Sequence, residues 1–106
     1  MAVGIDFSRV YGAMEEVDEM RLRMVCYISD GKMEEARRIN SEIYNTSYRV
    51  YETLTNKPRL IGADEIAADA LEVIFFGILQ RSSSFKDRFE GRKAENLFVV
   101  TFDLRE

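Results

Sequence analysis

Three tyrosines stand at helical spacing in the longest periodic segment of this sequence. Tyr44, Tyr48 and Tyr51 follow one another at steps of four and three residues, which places their rings on one face of an α-helix. With Arg37 nearby, the row could contact a nucleic-acid base, another planar ring or a partner helix. Alternatively, the three rings could pack at the edge of the core with their hydroxyls in water. We favour this second interpretation, because the row adjoins the apolar residues of the same helix.

A second candidate contact lies on the next predicted helix, where an aromatic residue falls on the polar side. With Ile74 facing the core, Phe76 projects among the carboxylates of the segment 65–72, while Phe75 and Leu79 lie between the two faces. A phenylalanine in that position needs a cover. A homo-oligomer interface and the segment that follows the helix are equally good explanations, and a third is that the helix ends early.

Two arginines belong to a segment with strict alternation. Residues 20–28 place Met20, Met24 and other apolar side chains on one face, with Arg21 and Arg23 on the opposite face. A period of two fits every position, so we favour a β-strand over a helix at 13–28, which the apolar residues at 14, 17, 20 and 24 would also allow. The two arginines would then project from an open sheet face, where they could meet an anionic ligand or a partner protein.

The residue types that the chain lacks weigh against enzymatic activity. The sequence has no histidine, which is the commonest general base and a favoured zinc ligand, and it has one cysteine, Cys26. Any catalysis would depend on carboxylates, Lys, Tyr, Ser or the single Cys, and the enzyme considered is one that uses carboxylates with a divalent metal. The acidic groups at 15–19 and 64–72 lack the spacing of known calcium-binding loops. We therefore predict no catalytic residues, no metal site and no cofactor, without excluding an enzyme.

The segment 80–96 is locally basic and rich in serine, and we interpret it as a loop. Its mixture of cations, serines and two phenylalanines could hold a phosphate or a single nucleic-acid strand. A solvated connection is the preferred interpretation, because no phosphate-binding or RNA-recognition motif is present. The net charge of -4 and the pI of about 5.0 also make nucleic acid the less favoured partner.

The predicted elements suggest an α+β fold. Strands at 2–11 and 20–28 come first, an amphipathic helix follows at 32–55, a second helix starts at Gly62, and a strand occupies 97–104. A link at residues 59–61 could add an edge strand. The expected structure is one domain over residues 1–106, a two-layer sandwich. Its three- or four-stranded, mostly antiparallel sheet would carry both helices on one face, in the order ββα(β)αβ.

These features predict a small non-enzymatic protein that works through protein–protein contacts, with self-association as the first expectation. The alternative is a binding module for a nucleotide, RNA or another small anionic ligand, and a carboxylate enzyme with a divalent metal is a weaker one. The longest apolar run, 73–79, is too short to span a membrane, and no signal peptide is visible, so we expect a cytoplasmic protein. Eleven of the fifteen basic residues are arginine, which hints at a prokaryotic source.

Overall fold

The computed structural model describes residues 4–56 and 60–91, and this part of the chain is all-helical. Helix α1 spans Phe7–Ser29, α2 spans Met33–Thr55 and α3 spans Gly62–Phe89. Helix α2 is central, because it packs along both α1 and α3, whereas the backbones of α1 and α3 make few close approaches. Short connections between successive helices produce antiparallel neighbours, so the chain runs up, down and up.

The prediction of an α+β two-layer sandwich is wrong for the residues that the structure describes. The predicted strand at 20–28 lies within α1, and so does most of the predicted strand at 2–11. The segment 12–19, between the two predicted strands, is helical. The predicted strand at 97–104 lies outside the described residues, as does Arg59 of the predicted link, whereas residues 60 and 61 precede α3 without forming a strand. The expectation of a single domain over the whole chain stays a prediction.

Helix α1 forms because its buried residues recur at helical spacing. Val10, Val17, Met20 and Met24 are buried at intervals of seven, three and four residues, as the core stripe of an antiparallel bundle requires. At the N-terminus, the Asp6 carboxylate accepts a hydrogen bond from the backbone amide of Arg9 and caps the first turn.

Backbone geometry also explains where α1 ends and which of its residues are exposed. Gly31 has a φ angle of +75°, which most other residues rarely adopt, and it turns the chain towards α2. Cys26 would share the apolar face of the predicted strand with Met24, but it is exposed because helical spacing places it away from Met24.

Helix α2 was predicted at 32–55, and the structure confirms it at Met33–Thr55. Positions 36, 40, 43, 47 and 54 are buried at steps of four, three, four and seven residues, and Ile39 is buried beside them, so the buried surface is broad enough to face both neighbouring helices. Several of these positions hold small residues, so both neighbours can approach the backbone closely. The buried residues are Ala36, Ile39, Asn40, Ile43, Ser47 and Leu54.

Helix α3 begins at Gly62 as predicted, but it continues to Phe89. The predicted loop at 80–96 is therefore helical through most of its described part, and its residues 92–96 lie outside the described residues. Ser82, Phe85 and Phe89 extend the spacing of the preceding apolar positions by two turns, and this explains why the helix does not stop at residue 79. The core-facing positions of α3 are Ala68, Leu71, Phe75, Ile78, Ser82, Phe85 and Phe89.

Candidate functional site

The most exposed apolar surface of α3 faces away from the core. Ile66, Ala70, Val73 and Gly77 are separated by steps of four and three residues and so share one side of the helix, with Ile74 beside them. Ile66 and Val73 are each 71% exposed, and Ile74 is 46% exposed. We call these five residues the α3 outer face.

Charges are distributed unequally along the helix that carries this face. The first half of α3 contains acidic residues only, whereas basic residues predominate in the second half. Acidic residues near the positive N-terminal end of the helix dipole and basic residues near its negative C-terminal end are both stabilising. The two halves of α3 also carry net charges of opposite sign, which affects the orientation of any partner helix that packs along α3. The acidic residues are Asp64, Glu65, Asp69 and Glu72, and the later charged residues are Arg81, Lys86, Asp87 and Arg88.

The three predicted contact residues of α3 occupy different environments. Phe75 is completely buried and Leu79 is also buried, so neither presents a surface in this structure. Phe76 is 47% exposed, and its ring centroid lies 5.8 Å from that of Tyr51 on α2. Part of the cover that Phe76 was expected to need therefore comes from α2.

The tyrosine row lies on the side of α2 that borders α3. Tyr44 and Tyr48 are exposed and stack nearly parallel, with ring centroids 6.2 Å apart and an interplanar angle of 4°. Tyr51 is half-buried and packs against the core. The row thus divides into one supporting ring and two rings that are accessible to a ligand.

Arg37 is engaged with a neighbouring carboxylate. Its guanidinium donates a hydrogen bond to the Glu34 carboxylate, one turn earlier on α2. This hydrogen bond, together with the attraction of the positive charge, holds the pKa of Glu34 below its ordinary value of 4.5. The same contact raises the pKa of Arg37, and a smaller contribution comes from Glu90 after α3.

A polar groove of about 380 Å³ lies between α2 and α3, bordered by Tyr44. At its base, the Asn40 side-chain amide donates to the carbonyl of Ser82 over 3.0 Å, and the Ser82 hydroxyl lies 3.1 Å from Asn40 Oδ1. Both residues are buried, so each satisfies polar groups of the other. We call this the α2–α3 groove. Its lining comprises Asn40, Ser41, Tyr44, Asn45, Ser82, Ser83 and Lys86.

Arg21 and Arg23 project from α1 and not from a sheet. Each forms an ion pair within the helix, Arg21 with Asp18 at 3.6 Å and Arg23 with Glu19 at 3.5 Å. Both pairs are solvent-exposed, and such pairs contribute little to stability. The structure therefore does not bring these arginines together with the tyrosine row.

A larger and more mixed groove separates α1 from α2. It measures about 640 Å³, and its lining includes Arg9 and Arg49 as well as Asp6 and Glu16. Charges of both signs in equal number give no preference for a class of ligand. Among the described residues, 4–56 and 60–91, no group of three or more Cys, Asp or Glu side chains is arranged to hold a metal ion.

From the sequence, Ile74 was expected to face the core, but it lies on the exposed α3 outer face, which was not predicted. In the groove lining, Tyr44 was a candidate site residue, and Ser82, Ser83 and Lys86 belong to the segment 80–96 that could hold a phosphate, whereas Asn40, Ser41 and Asn45 were not predicted as site residues. The interval from Ile78 to Ser82, Phe85 and Phe89 continues the steps of four and three residues, and this signal could have placed Ser82 opposite α2. The exposure of Ile66 and Val73 has no such signal, because α3 is apolar on several sides. In the part of the chain that the structure describes, no helix has the length and apolarity that a membrane crossing requires.

No protein-family model matches this chain, and no curated protein or solved structure is significantly similar to it.

Proposed function

We propose that this chain is a helical interaction domain that self-associates through the α3 outer face. The observation that supports the proposal most directly is the 71% exposure of both Ile66 and Val73 on one side of a well-packed helix. Contiguous apolar surface on a folded domain is typical of a protein-contact site.

Helix α1 also exposes apolar residues, but they form a less continuous surface. Leu22 and Val25 are 69% and 56% exposed, and the Arg21–Asp18 ion pair lies beside them. On α3, four consecutive positions of one stripe are apolar or glycine from Ile66 to Gly77. Removing the α3 outer face from water therefore buries fewer charges, which favours it as the contact.

A second copy of the chain is the partner that the charge pattern of α3 favours. If two α3 helices pack antiparallel, the acidic half of each lies alongside the basic half of the other. Gly77 has no side chain, so it leaves room for an apolar residue of the opposing helix. A parallel arrangement would place halves of like charge together.

The size of the face predicts a weak dimer. Fully burying a valine or isoleucine side chain contributes about 1.5–3 kcal/mol. Two such residues from each copy contribute roughly 6–12 kcal/mol, against an association cost of about 4–15 kcal/mol. The most favourable combination, about 8 kcal/mol, corresponds to a dissociation constant of about 1 µM, so we expect micromolar or weaker association. A non-enzymatic role and a cytoplasmic location belong to this proposal.

Sedimentation equilibrium across micromolar to millimolar concentrations tests the proposal with a matched pair of variants. Val73→Glu puts a charge into the centre of the contact, and we expect it to weaken association by about tenfold or more. Leu22→Glu puts the same charge on α1 at a residue of similar exposure, and we expect it to leave association unchanged.

Two results would contradict self-association through α3. One is a strict monomer throughout this concentration range. The other is a dimer that tolerates Val73→Glu but is lost in Leu22→Glu, which would move the contact to α1. Circular dichroism of each variant separates a lost contact from a lost fold.

A further inference from the structure

We propose that the α2–α3 groove binds a small phosphate ester that carries a planar ring, the chemistry of a nucleoside monophosphate. This inference goes beyond self-association and does not depend on it, because the groove and the α3 outer face consist of different residues.

The lining of the groove favours an anionic ligand. Lys86 supplies a positive charge, and among the lining residues that the structure describes there is no carboxylate. Ser41 and Ser83 offer hydroxyl donors, and Asn45 offers an amide donor. Donors of this kind around an ammonium group suit a phosphate, whose oxygen atoms accept several hydrogen bonds. The α1–α2 groove, in contrast, contains two carboxylates beside its arginines.

The buried base of the groove holds these donors on two fixed helices. The Asn40 amide donates to the Ser82 carbonyl, and the Ser82 hydroxyl lies 3.2 Å from the Asn40 carbonyl. Ser41 is next to Asn40 and Ser83 is next to Ser82. The Asn40–Ser82 link therefore fixes the axial position of α2 relative to α3. The backbone positions of the donors are thus set before a ligand arrives, which lowers the entropy cost of binding.

Tyr44 adds a surface for a planar ring at the border of the groove. Its ring already stacks on Tyr48 with an interplanar angle of 4°, and it is 39% exposed. Stacking of a base on an aromatic side chain contributes about 1–3 kcal/mol and does not depend strongly on which base is present. A ligand with a base and a phosphate could use Tyr44 and Lys86 together.

The size and charge of the groove favour a mononucleotide over RNA. A volume of about 380 Å³ lies at the lower end of the range for small-molecule pockets. Lys86 is the lone cation in the described lining, whereas proteins that bind a nucleic-acid strand contact several phosphates in succession. The net charge of -4 for the chain also disfavours a long polyanion.

Titration with AMP, followed by NMR chemical shifts and calorimetry, tests the inference on the full chain. We expect saturable shifts confined to the groove, and weaker binding of both adenosine and inorganic phosphate. Lys86→Met should weaken AMP binding by about tenfold, because a charge-assisted hydrogen bond is lost. Tyr44→Leu should weaken it by about fivefold or more while leaving the affinity for phosphate unchanged.

Matched controls use residues of the same types outside the groove. Lys32→Met and Tyr11→Leu should bind AMP as the wild type does, and so should Val73→Glu, which tests the contact on α3. Absence of saturable shifts, or shifts that Lys86→Met does not reduce, would overturn the inference. Phosphate binding as tight as AMP binding would contradict the role of Tyr44. A short RNA that binds much more tightly than AMP would show that the ligand is a nucleic acid, and the proposed mononucleotide would then be wrong.

Discussion

The two faces of α3 have similar apolar composition but opposite exposure. On the inner face, Phe75 is completely buried and Leu71 is nearly so, whereas Ile66 and Val73 on the outer face are each 71% exposed. The inner face is fixed by packing against the rest of the core, and its side chains are held in a close-packed interior. An apolar face is therefore a core only if another element covers it. The outer face has the composition of a core but the exposure of a contact surface.

The two adjacent phenylalanines give the largest expected contrast between these environments. Phe75→Ala should lower the free energy of unfolding by about 3–5 kcal/mol, because it leaves a cavity where a completely buried ring was packed. Phe76→Ala should lower it by only about 0.5–1.5 kcal/mol, since that half-exposed ring contributes mainly its contact with Tyr51. Urea denaturation of both variants measures the difference.

Equal losses in the two variants would contradict the assignment of faces. They would mean that α3 is rotated about its axis relative to the structure described above. An unchanged dependence of the unfolding free energy on urea concentration is the control, because it shows that both variants expose the same surface on unfolding.

The sequence predicted α2 correctly but not α1, and the reason is a coincidence of two periods. Met20 and Met24 are four residues apart, which is two steps of a strand and also close to one turn of a helix. Leu22 fits the strand pattern but is 69% exposed on α1, whereas Val10 and Val17 fit the helical pattern and are buried. Whether this segment forms a strand or a helix depends on which of its residues pack against the rest of the fold. The local alternation of apolar and polar residues does not contain that information.

The extent of α3 was missed for a different reason. Residues 80–84 are polar and include three serines, which have modest helix propensity and are common in loops. The structure keeps them helical because Ser82 bonds with Asn40 and Phe85 packs against the core. Tertiary contacts thus override a weak local preference. Within the tyrosine row, Tyr51 packs against the core as that interpretation expected, whereas Tyr44 and Tyr48 are exposed.

The buried polar link tests the inner face with an intermediate effect. Asn40→Ala leaves polar groups of Ser82 buried without their partner, and we expect a loss of about 1–3 kcal/mol of unfolding free energy. Ser82→Ala should cost a similar amount. The double variant should lose less than the two single losses together, because both changes remove the same interaction.

A matched control for this link is Ser41→Ala, one residue along on α2 and exposed. It should change the unfolding free energy by less than about 0.5 kcal/mol. Strictly additive losses for Asn40→Ala and Ser82→Ala would show that the two side chains do not act as a unit, and the fixed base of the groove would then lose its support.

The exposed pair of Glu34 and Arg37 should give the smallest effect and a defined pH dependence. Because the pKa of Glu34 is lowered in the folded chain, the unfolded chain binds more protons when the pH falls below the ordinary value of 4.5. The stabilising contribution of Glu34 is therefore present above that pH and is lost as the pH falls through the lower, folded value. The wild type should be more stable to unfolding than Glu34→Gln at neutral pH, and this difference in stability should decrease in the acid range.

Thermal unfolding of the wild type and two variants between neutral and acid pH measures this contribution. Glu35→Gln is the control, because Glu35 shares the first turn of α2 with Glu34 but lies on the side facing α1. A difference in stability between the wild type and Glu34→Gln that stays constant across the acid range would contradict an ionic origin of the Glu34 contribution. Added salt should reduce it, because charges at the surface are screened. The buried Asn40–Ser82 link is uncharged, so its contribution should depend on neither condition, in contrast to that of the exposed ion pair on α2.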